Sequence, residues 1–419
     1  MTHFLQLLLL LAAIVAAAKC AGALASRFGQ PSVFGEILAG LILGPTVLNV
    51  LGLAPFNPAA SEAGQPGLLA VVHDLAELGV VLLMFVAGLE TDLDELRRVS
   101  AVAFWAAFGG VLLPLAGGVL VATAFGLPLY WEAIFIGTIL TATSVSISAQ
   151  TLLELGALRS REGATILGAA VIDDVMGLMV LSVVVAFAKA SGGGVDLAAL
   201  ALVSLRILGY FALALVAGRL VKPILRWSAS LQVSQATLAA ALVIAFIYAW
   251  AAEYVGEVAA ITGAYLAGVF VAQSGYKDRI DAGIHPLTYS MFVPVFFISI
   301  GLQANGRELG PHALFTLVLV AVAIVAKVIG SGAGARLSGF GGRESLRVGI
   351  GMISRGEVGL IVAGYGMTNG LIPRDVFSAS VLMVLVTTMV TPPLLRLVFP
   401  AARGRTAAIE ETIGHDPTE

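Results

Sequence analysis

The chain has 419 residues, of which 59% are hydrophobic and only 12% are charged, and its formal net charge is −3. Ordinary soluble domains carry roughly 25% charged residues, because their surfaces face water. The composition therefore excludes a soluble enzyme. The sequence also lacks the runs of like charge that are typical of nucleic-acid-binding proteins.

Apolar stretches of about 20 residues, the length that crosses a bilayer as a helix, follow one another along most of the chain. We predict thirteen such spans, at 4–25, 33–50, 71–91, 99–125, 131–154, 163–188, 197–222, 233–252, 257–274, 287–303, 312–336, 345–368 and 374–398. The first span has no basic n-region and is too long for a signal peptide, so we expect it to remain in the protein. The predicted fold class is an all-α polytopic membrane protein whose partner is the lipid bilayer.

The basic residues predict the orientation of the spans, because Lys and Arg accumulate on the cytoplasmic side of membrane proteins. With the C-terminus inside, most of them fall at cytoplasmic ends of spans, and only Lys189, Arg307 and Arg374 fall outside. We therefore predict a multi-pass protein of the cell inner membrane, with its N-terminus outside and its C-terminus in the cytoplasm.

The two halves of the chain contain a weak internal repeat. Gly35-Glu36 at the start of the second span matches Gly256-Glu257 at the start of the ninth, and 85–90 in the third span resembles 297–303 in the tenth. Because the second and ninth spans start on opposite sides of the membrane, we expect inverted repeats of the kind found in transporters.

A few ionisable residues lie inside the predicted spans, where a charge costs on the order of 3 kcal/mol or more. They are Asp173 and Asp174 in the sixth span, Lys327 in the eleventh, and Arg355 and Glu357 in the twelfth. Neighbouring helix positions point about 100° apart, so one aspartate can face a cationic neighbour while the other faces a cavity. Burial and mutual repulsion favour proton uptake by the pair, whereas the deprotonated carboxylates offer oxygen ligands to a small cation.

The fifth span adds neutral oxygen atoms. Hydroxyl and amide side chains lie at Thr138, Thr141, Thr143, Ser144, Ser146, Ser148, Gln150 and Thr151. A single Thr or Ser in a span usually bonds back to its own helix, but this density predicts a polar surface that can replace the hydration shell of a cation.

These residues resemble the motifs of the monovalent cation:proton antiporter superfamily, in the branch that contains NapA-like sodium/proton antiporters and Kef-type potassium/proton systems. The matching segments are 35–40, 43–45, 83–92, 141–145, 173–174 with Lys327, and 354–358. The resemblance implies an NhaA/NapA-like fold in which the fifth and twelfth spans are unwound and cross beside the aspartates. The stretch 138–155 has no Gly or Pro to mark such a break, so this crossing is implied by the resemblance alone.

The resemblance also implies the domains. A core domain comprises about 99–190 and 312–398, a dimerisation or scaffold domain comprises about 4–91 and 197–303, and 401–419 form a short cytoplasmic tail. With so few residues after the last span, we expect no appended regulatory domain. A homodimer is implied.

The resemblance assigns ion and proton binding to Asp173, Asp174, Lys327, Thr143, Ser144 and Glu357. Asp174 is the implied main carrier of Na⁺ and protons, and Asp173 shares the Na⁺ and pairs with Lys327 until the cation enters. Thr143 and Ser144 lie at the first break, and Glu357 lies at the second.

The predicted function is exchange of protons for a small monovalent cation, Na⁺ with Li⁺, without a cofactor and without catalysis of a reaction. By the same resemblance, the Asp pair indicates electrogenic exchange of two protons per cation, with an elevator-like movement of the core. K⁺/H⁺ exchange remains an alternative. A cation channel and a sodium-coupled solute symporter are further alternatives.

Overall fold

The computed structural model describes residues 2–28, 30–53, 56, 67–91, 93–127, 131–189, 197–303, 313–368 and 370–399. Its helices are α1 His3–Arg27, α2 Ser32–Leu43, α3 Leu68–Glu90, α4 Leu93–Ala124, α5 Trp131–Thr141, α6 Val145–Glu154, α7 Arg161–Lys189, α8 Leu197–Ser230, α9 Ala236–Tyr254, α10 Ala260–Ala272, α11 Lys277–Leu287, α12 Val293–Gln303, α13 Ala313–Leu337, α14 Gly342–Gly351, α15 Gly356–Thr368 and α16 Arg374–Val398. A π-helical segment, Thr288–Phe292, connects α11 to α12. The tail predicted at 401–419 lies outside the described residues.

The length and composition of these helices confirm the all-α polytopic fold. In the described part of the chain, 10 helical stretches are long and apolar enough to cross a membrane. Shorter apolar helices lie at Ser32–Leu43, Ala260–Ala272 and Val358–Met367. The number of thirteen spans stays a prediction.

The second helix is shorter than its predicted span, 33–50. It ends at Leu43, and Gly44 leaves the helical conformation with φ −71° and ψ −177°. The physical reason is Pro45, whose ring disfavours a helical conformation in the residue before it.

The fifth and twelfth predicted spans are each interrupted. Residues 142–144 separate α5 from α6, and residues 352–355 separate α14 from α15. The two breaks contact each other, since the backbone N–H of Ser144 donates to the carbonyl of Ser354 at 2.8 Å. Irregular backbone is stable at membrane depth when neighbouring protein groups satisfy it, which is why the first break needs neither Gly nor Pro.

Small residues bring α4 and α13 into direct backbone contact. Gly109 on α4 faces the carbonyl of Gly330 on α13, Gly330 faces the carbonyl of Gly109, and a Cβ atom at either position would collide. Helix α4 also packs against α5 and α7. This close packing places α13, which carries Lys327, beside the middle of α7.

Two helix crossings in the structure are equivalent, as the repeat predicted from the sequence requires. Gly40 of α2 lies against the carbonyl of Ile298 on α12, and Gly268 of α10 lies against the carbonyl of Phe85 on α3. Each crossing depends on a glycine, because a side chain there would overlap the partner's backbone.

These crossings correct the register of the repeat predicted from the sequence. Because Gly40 is equivalent to Gly268, the segment that starts at Gly35 is equivalent to the one that starts at Gly263, and not to Gly256-Glu257. Apolar segments rich in small residues align in several registers, and only the backbone contacts distinguish between them.

Candidate ion-binding site

The centre of the site is a buried ion pair between α7 and α13. The ammonium of Lys327 lies 3.1 Å from Oδ1 and 3.3 Å from Oδ2 of Asp173. Lys327 is 0% exposed and Asp173 is 2% exposed. Because two charges removed from water are tolerated only when they are paired and hydrogen-bonded, each of these side chains requires the other.

The ammonium of Lys327 has two further partners, both of them backbone carbonyls. It donates to Gly110 on α4 at 2.8 Å and to Thr141 at the end of α5 at 2.9 Å. An ammonium has three N–H donors, so all of them are used. The carbonyls at the end of α5 carry the partial negative charge of the helix dipole. The ammonium of Lys327 therefore neutralises two negative groups, the C-terminal end of α5 and the carboxylate of Asp173.

A second buried cation, Arg355, joins the two helix breaks. Its NH1 group donates to the carbonyl of Ala142 at 2.7 Å, and its NH2 group donates to Ala323 on α13 at 3.0 Å. The side chain is fully buried. The sequence singled out Arg355 as costly but did not assign it to the site, where it fixes the geometry of both breaks.

Asp174 contacts a different helix from Asp173. Its Oδ2 atom accepts a hydrogen bond at 3.1 Å from the hydroxyl of Thr262, in the first turn of α10. Sequence reasoning missed Thr262, because one threonine in an apolar span has no distinguishing feature.

A cavity of about 880 Å³ reaches both aspartates, Asp173 and Asp174. Its lining also includes His73, Glu77 and Glu257, whose side chains are exposed. A hydrated ion therefore has a path from one surface of the protein to the carboxylates.

On the other side of the aspartates the packing is tight. A pocket of only about 10 Å³ lies beside Asp174, lined by apolar side chains that include Met84, Leu167 and Val171. This volume is at the lower limit for one water molecule. This small pocket therefore gives a hydrated ion no room to reach Asp174 from that side.

In addition to this tight packing, two polar contacts connect α2 and α3 to α6 and the segment that follows it. The carboxylate of Glu154, at the end of α6, accepts from the backbone N–H of Ser32 at 2.8 Å and from its hydroxyl. Arg159 donates to Glu90, at the end of α3, at 2.6 Å. The first contact connects α6 to α2, and the second connects the segment after α6 to α3.

The other predicted site residues are in three situations. Thr143 lines the cavity, together with Thr138 and Thr141 of the polar fifth span. Ser144 is buried and packs against Gly356 at the second break, with its hydroxyl 2.8 Å from that of Ser146. Glu357 is in the first turn of α15, but its side chain lies outside the described residues.

Comparisons with known proteins agree with this architecture. Residues 10–399 match the family described as sodium/hydrogen exchanger, transmembrane. The chain is 41% identical over 392 residues to the Na⁺/H⁺-K⁺ antiporter GerN of Bacillus cereus, covering 93% of this chain and 96% of that protein. It is 36% identical over 388 residues to the Na⁺/H⁺ antiporter of Enterococcus hirae, covering 92% and 96% of the two chains.

A solved structure has the same fold. The sodium proton antiporter MjNhaP1 from Methanocaldococcus jannaschii superposes with a TM-score of 0.64 at 16% sequence identity, over 97% of this chain and 99% of that one.

Proposed function

We propose a transport cycle from the premise that this chain belongs to the transmembrane sodium/hydrogen exchanger family, which its match over residues 10–399 establishes. It is a multi-pass membrane protein that exchanges protons for a monovalent cation, and the cation we assign is Na⁺. One observation carries the mechanism: two adjacent carboxylates, Asp173 and Asp174, line the same cavity, and they have different contacts, since Asp173 pairs with the buried Lys327 and Asp174 accepts a hydrogen bond from Thr262.

In this cycle, Na⁺ and protons compete for the two carboxylates. The cation enters through the cavity and binds Asp174 and Asp173, with oxygen ligands from the neighbouring Thr143. As Asp173 turns to the cation it releases Lys327, whose ammonium keeps its bonds to the carbonyls of Gly110 and Thr141. Protonation removes the negative charges that hold the cation, and the cation leaves.

We assign Ser144 to the support of the first break. Its hydroxyl contacts Ser146 and its backbone N–H bonds the second break, so it is placed to hold geometry. Glu357 keeps its proposed role at the second break. No cofactor is needed besides the transported ions.

Alternating access follows from the position of the cavity between two groups of helices. One wall comes from α5, α7 and α15, which belong to the proposed core domain at about 99–190 and 312–398. The other comes from α3, α10 and α12, which belong to the proposed scaffold domain at about 4–91 and 197–303. An elevator-like movement of the core along the scaffold carries the aspartates from one side of the membrane to the other.

The orientation and assembly of the protein are further parts of this proposal. The distribution of Lys and Arg places the N-terminus outside and the C-terminus in the cytoplasm of the cell inner membrane, so the cavity opens outward. The scaffold domain forms a homodimer. Its long helix α8 exposes large apolar side chains, such as Leu205 and Leu208, to lipid or to a second copy.

The proposal is tested by flux measurements in proteoliposomes. A pulse of Na⁺ should discharge a pH gradient with wild-type protein, and Asp174→Asn should abolish the response because the main carrier can no longer ionise. The matched control is Asp278→Asn, which makes the same change at an exposed position on α11. Exchange by Asp174→Asn at the wild-type rate would contradict the assignment.

K⁺ is the second candidate cation. The relative at 41% identity is named as a Na⁺/H⁺-K⁺ antiporter, which favours testing K⁺ first among the alternatives. Pulses of Na⁺, Li⁺ and K⁺ as the only alkali cation, each at several pH values, distinguish the two assignments.

A further inference from the structure

We propose that Thr262 is a positioning residue that holds the empty, deprotonated site in the conformation seen here and so suppresses proton leak in the absence of a transported cation. This inference rests on the proposed exchange cycle and adds a residue to it. The motif resemblance assigns no role to α10, and the contact is visible only in the tertiary structure.

The observation is a hydrogen bond across the boundary between the two groups of helices. Asp174 belongs to α7, in the proposed core, and Thr262 belongs to α10, in the proposed scaffold. The donor is a hydroxyl, the acceptor is Oδ2 of the carboxylate, and the distance is 3.1 Å. Thr262 is 2% exposed, so water competes poorly for the same oxygen.

The start of α10 strengthens this contact. Thr262 lies in the first turn of a helix that begins at Ala260, and residues 258–261 line the cavity. The first backbone N–H groups of a helix carry partial positive charge, which favours a negative group beside them. The scaffold therefore presents both a hydroxyl donor and a helix N-terminus to Asp174.

The strength of the contact depends on the state of Asp174. A hydrogen bond to an ionised carboxylate is about twice as strong as one to a neutral group. A bound proton removes the charge, and a bound cation takes up the oxygen lone pairs, so either ligand weakens the bond. It is strongest when the site is empty.

The core cannot slide along the scaffold without breaking this bond. The free-energy cost of moving the core is therefore higher when the site is empty than when it is loaded. A strict exchanger requires this difference between the empty and the loaded site. If the core moved with protons in one direction and returned empty, the protein would carry protons across the membrane without exchanging them for a cation.

The experiment measures proton leak in the absence of transported cations. Proteoliposomes are suspended in choline medium that is free of Na⁺ and K⁺, and a lipophilic ion is added to dissipate the membrane potential. A pH gradient is then imposed, and its decay is measured. Thr262→Val removes the hydroxyl at nearly constant volume. It should accelerate the decay of the pH gradient about tenfold, because the hydrogen bond that it removes is one to a charged group. Thr262→Ser keeps the hydroxyl and should retain the slow decay.

The matched control is Thr237→Val. Thr237 is a buried threonine on α9 whose hydroxyl has no hydrogen-bond partner among the described residues, so the same substitution there should leave the leak unchanged. If Thr262→Val does not reconstitute, Thr262→Ala takes its place, since it also removes the hydroxyl.

Two results would overturn the inference. One is a leak at the wild-type rate in both Thr262→Val and Thr262→Ala. The other is complete loss of Na⁺-driven exchange in properly inserted Thr262→Val, which would make the hydroxyl a cation ligand instead. Failure of the proposed function is a separate result, because it shows as continued exchange by Asp174→Asn.

Discussion

The ammonium of Lys327 lies 3.1 Å from the carboxylate of Asp173, with both side chains buried in the bundle and two backbone carbonyls completing the lysine's hydrogen bonds. Removing one partner of a buried pair leaves the other charge uncompensated, at a cost of about 3–5 kcal/mol. The remaining group avoids this cost by becoming neutral. The pair therefore links the stability of the bundle to the charge of the transport site.

We predict that Lys327→Gln changes the charge carried in each cycle. Without the ammonium, Asp173 stays protonated and stops exchanging its proton, so two protons per cation become one and transport becomes electroneutral. The measurement is Na⁺-driven proton flux at imposed membrane potentials. Lys222→Gln, at an exposed position on α8, is the control and should keep the voltage dependence. Unchanged voltage dependence in Lys327→Gln would remove the proposed role.

The pH dependence of transport follows from competition at Asp173 and Asp174. Protons occupy the same oxygen atoms as the cation, so a lower pH raises the KM for Na⁺. One competing proton raises it by up to about tenfold per pH unit, and two raise it by up to about 100-fold. Initial rates at several Na⁺ concentrations and pH values measure this slope. A KM independent of pH would exclude competition.

The crossing of α3 and α10 should tolerate no side chain at Gly268. A Cβ atom there would collide with the backbone carbonyl of Phe85, and the overpacking should cost roughly 1–3 kcal/mol. We therefore expect Gly268→Ala to lower the melting temperature in detergent. The control is Gly209→Ala on α8, where an added Cβ meets no atom within 4 Å and the melting temperature should not fall. Equal melting temperatures for the two variants would contradict the close approach.

The contact between Ser32 and Glu154 should break in every transport cycle, because it connects the proposed scaffold to the proposed core. The chain has one cysteine, Cys20, so Cys20→Ser provides a background for placing cysteines at positions 32 and 154. A short bifunctional thiosulfonate that joins them should stop exchange, and a reducing agent should restore it.

The single-cysteine variants are the controls for this experiment, since the reagent cannot link two helices in them. They should keep their exchange activity after treatment. Full exchange by the cross-linked protein would show that the two helices do not separate, and an elevator-like movement would then be wrong.

Much of this protein is determined by its sequence alone. The low fraction of charged residues makes a lipid-facing surface the only stable one, and it leaves Asp173, Asp174 and Lys327 as costly exceptions. Their positions in apolar stretches predicted a site inside the membrane, and the structure brings them to the same cavity or directly behind it. Local hydropathy is sufficient for this, because the cost of burying a charge depends on its immediate surroundings.

The tertiary structure decides what depends on contacts between distant segments. The first helix break lies in a stretch without Gly or Pro, because its backbone groups are satisfied by Ser354 and Arg355 from the other half of the chain. The register of the repeat depends on which glycines meet across a crossing, and the role of Thr262 depends on its distance from Asp174. Composition and periodicity indicate which residues avoid water, but only the packing of the helices decides which buried groups meet.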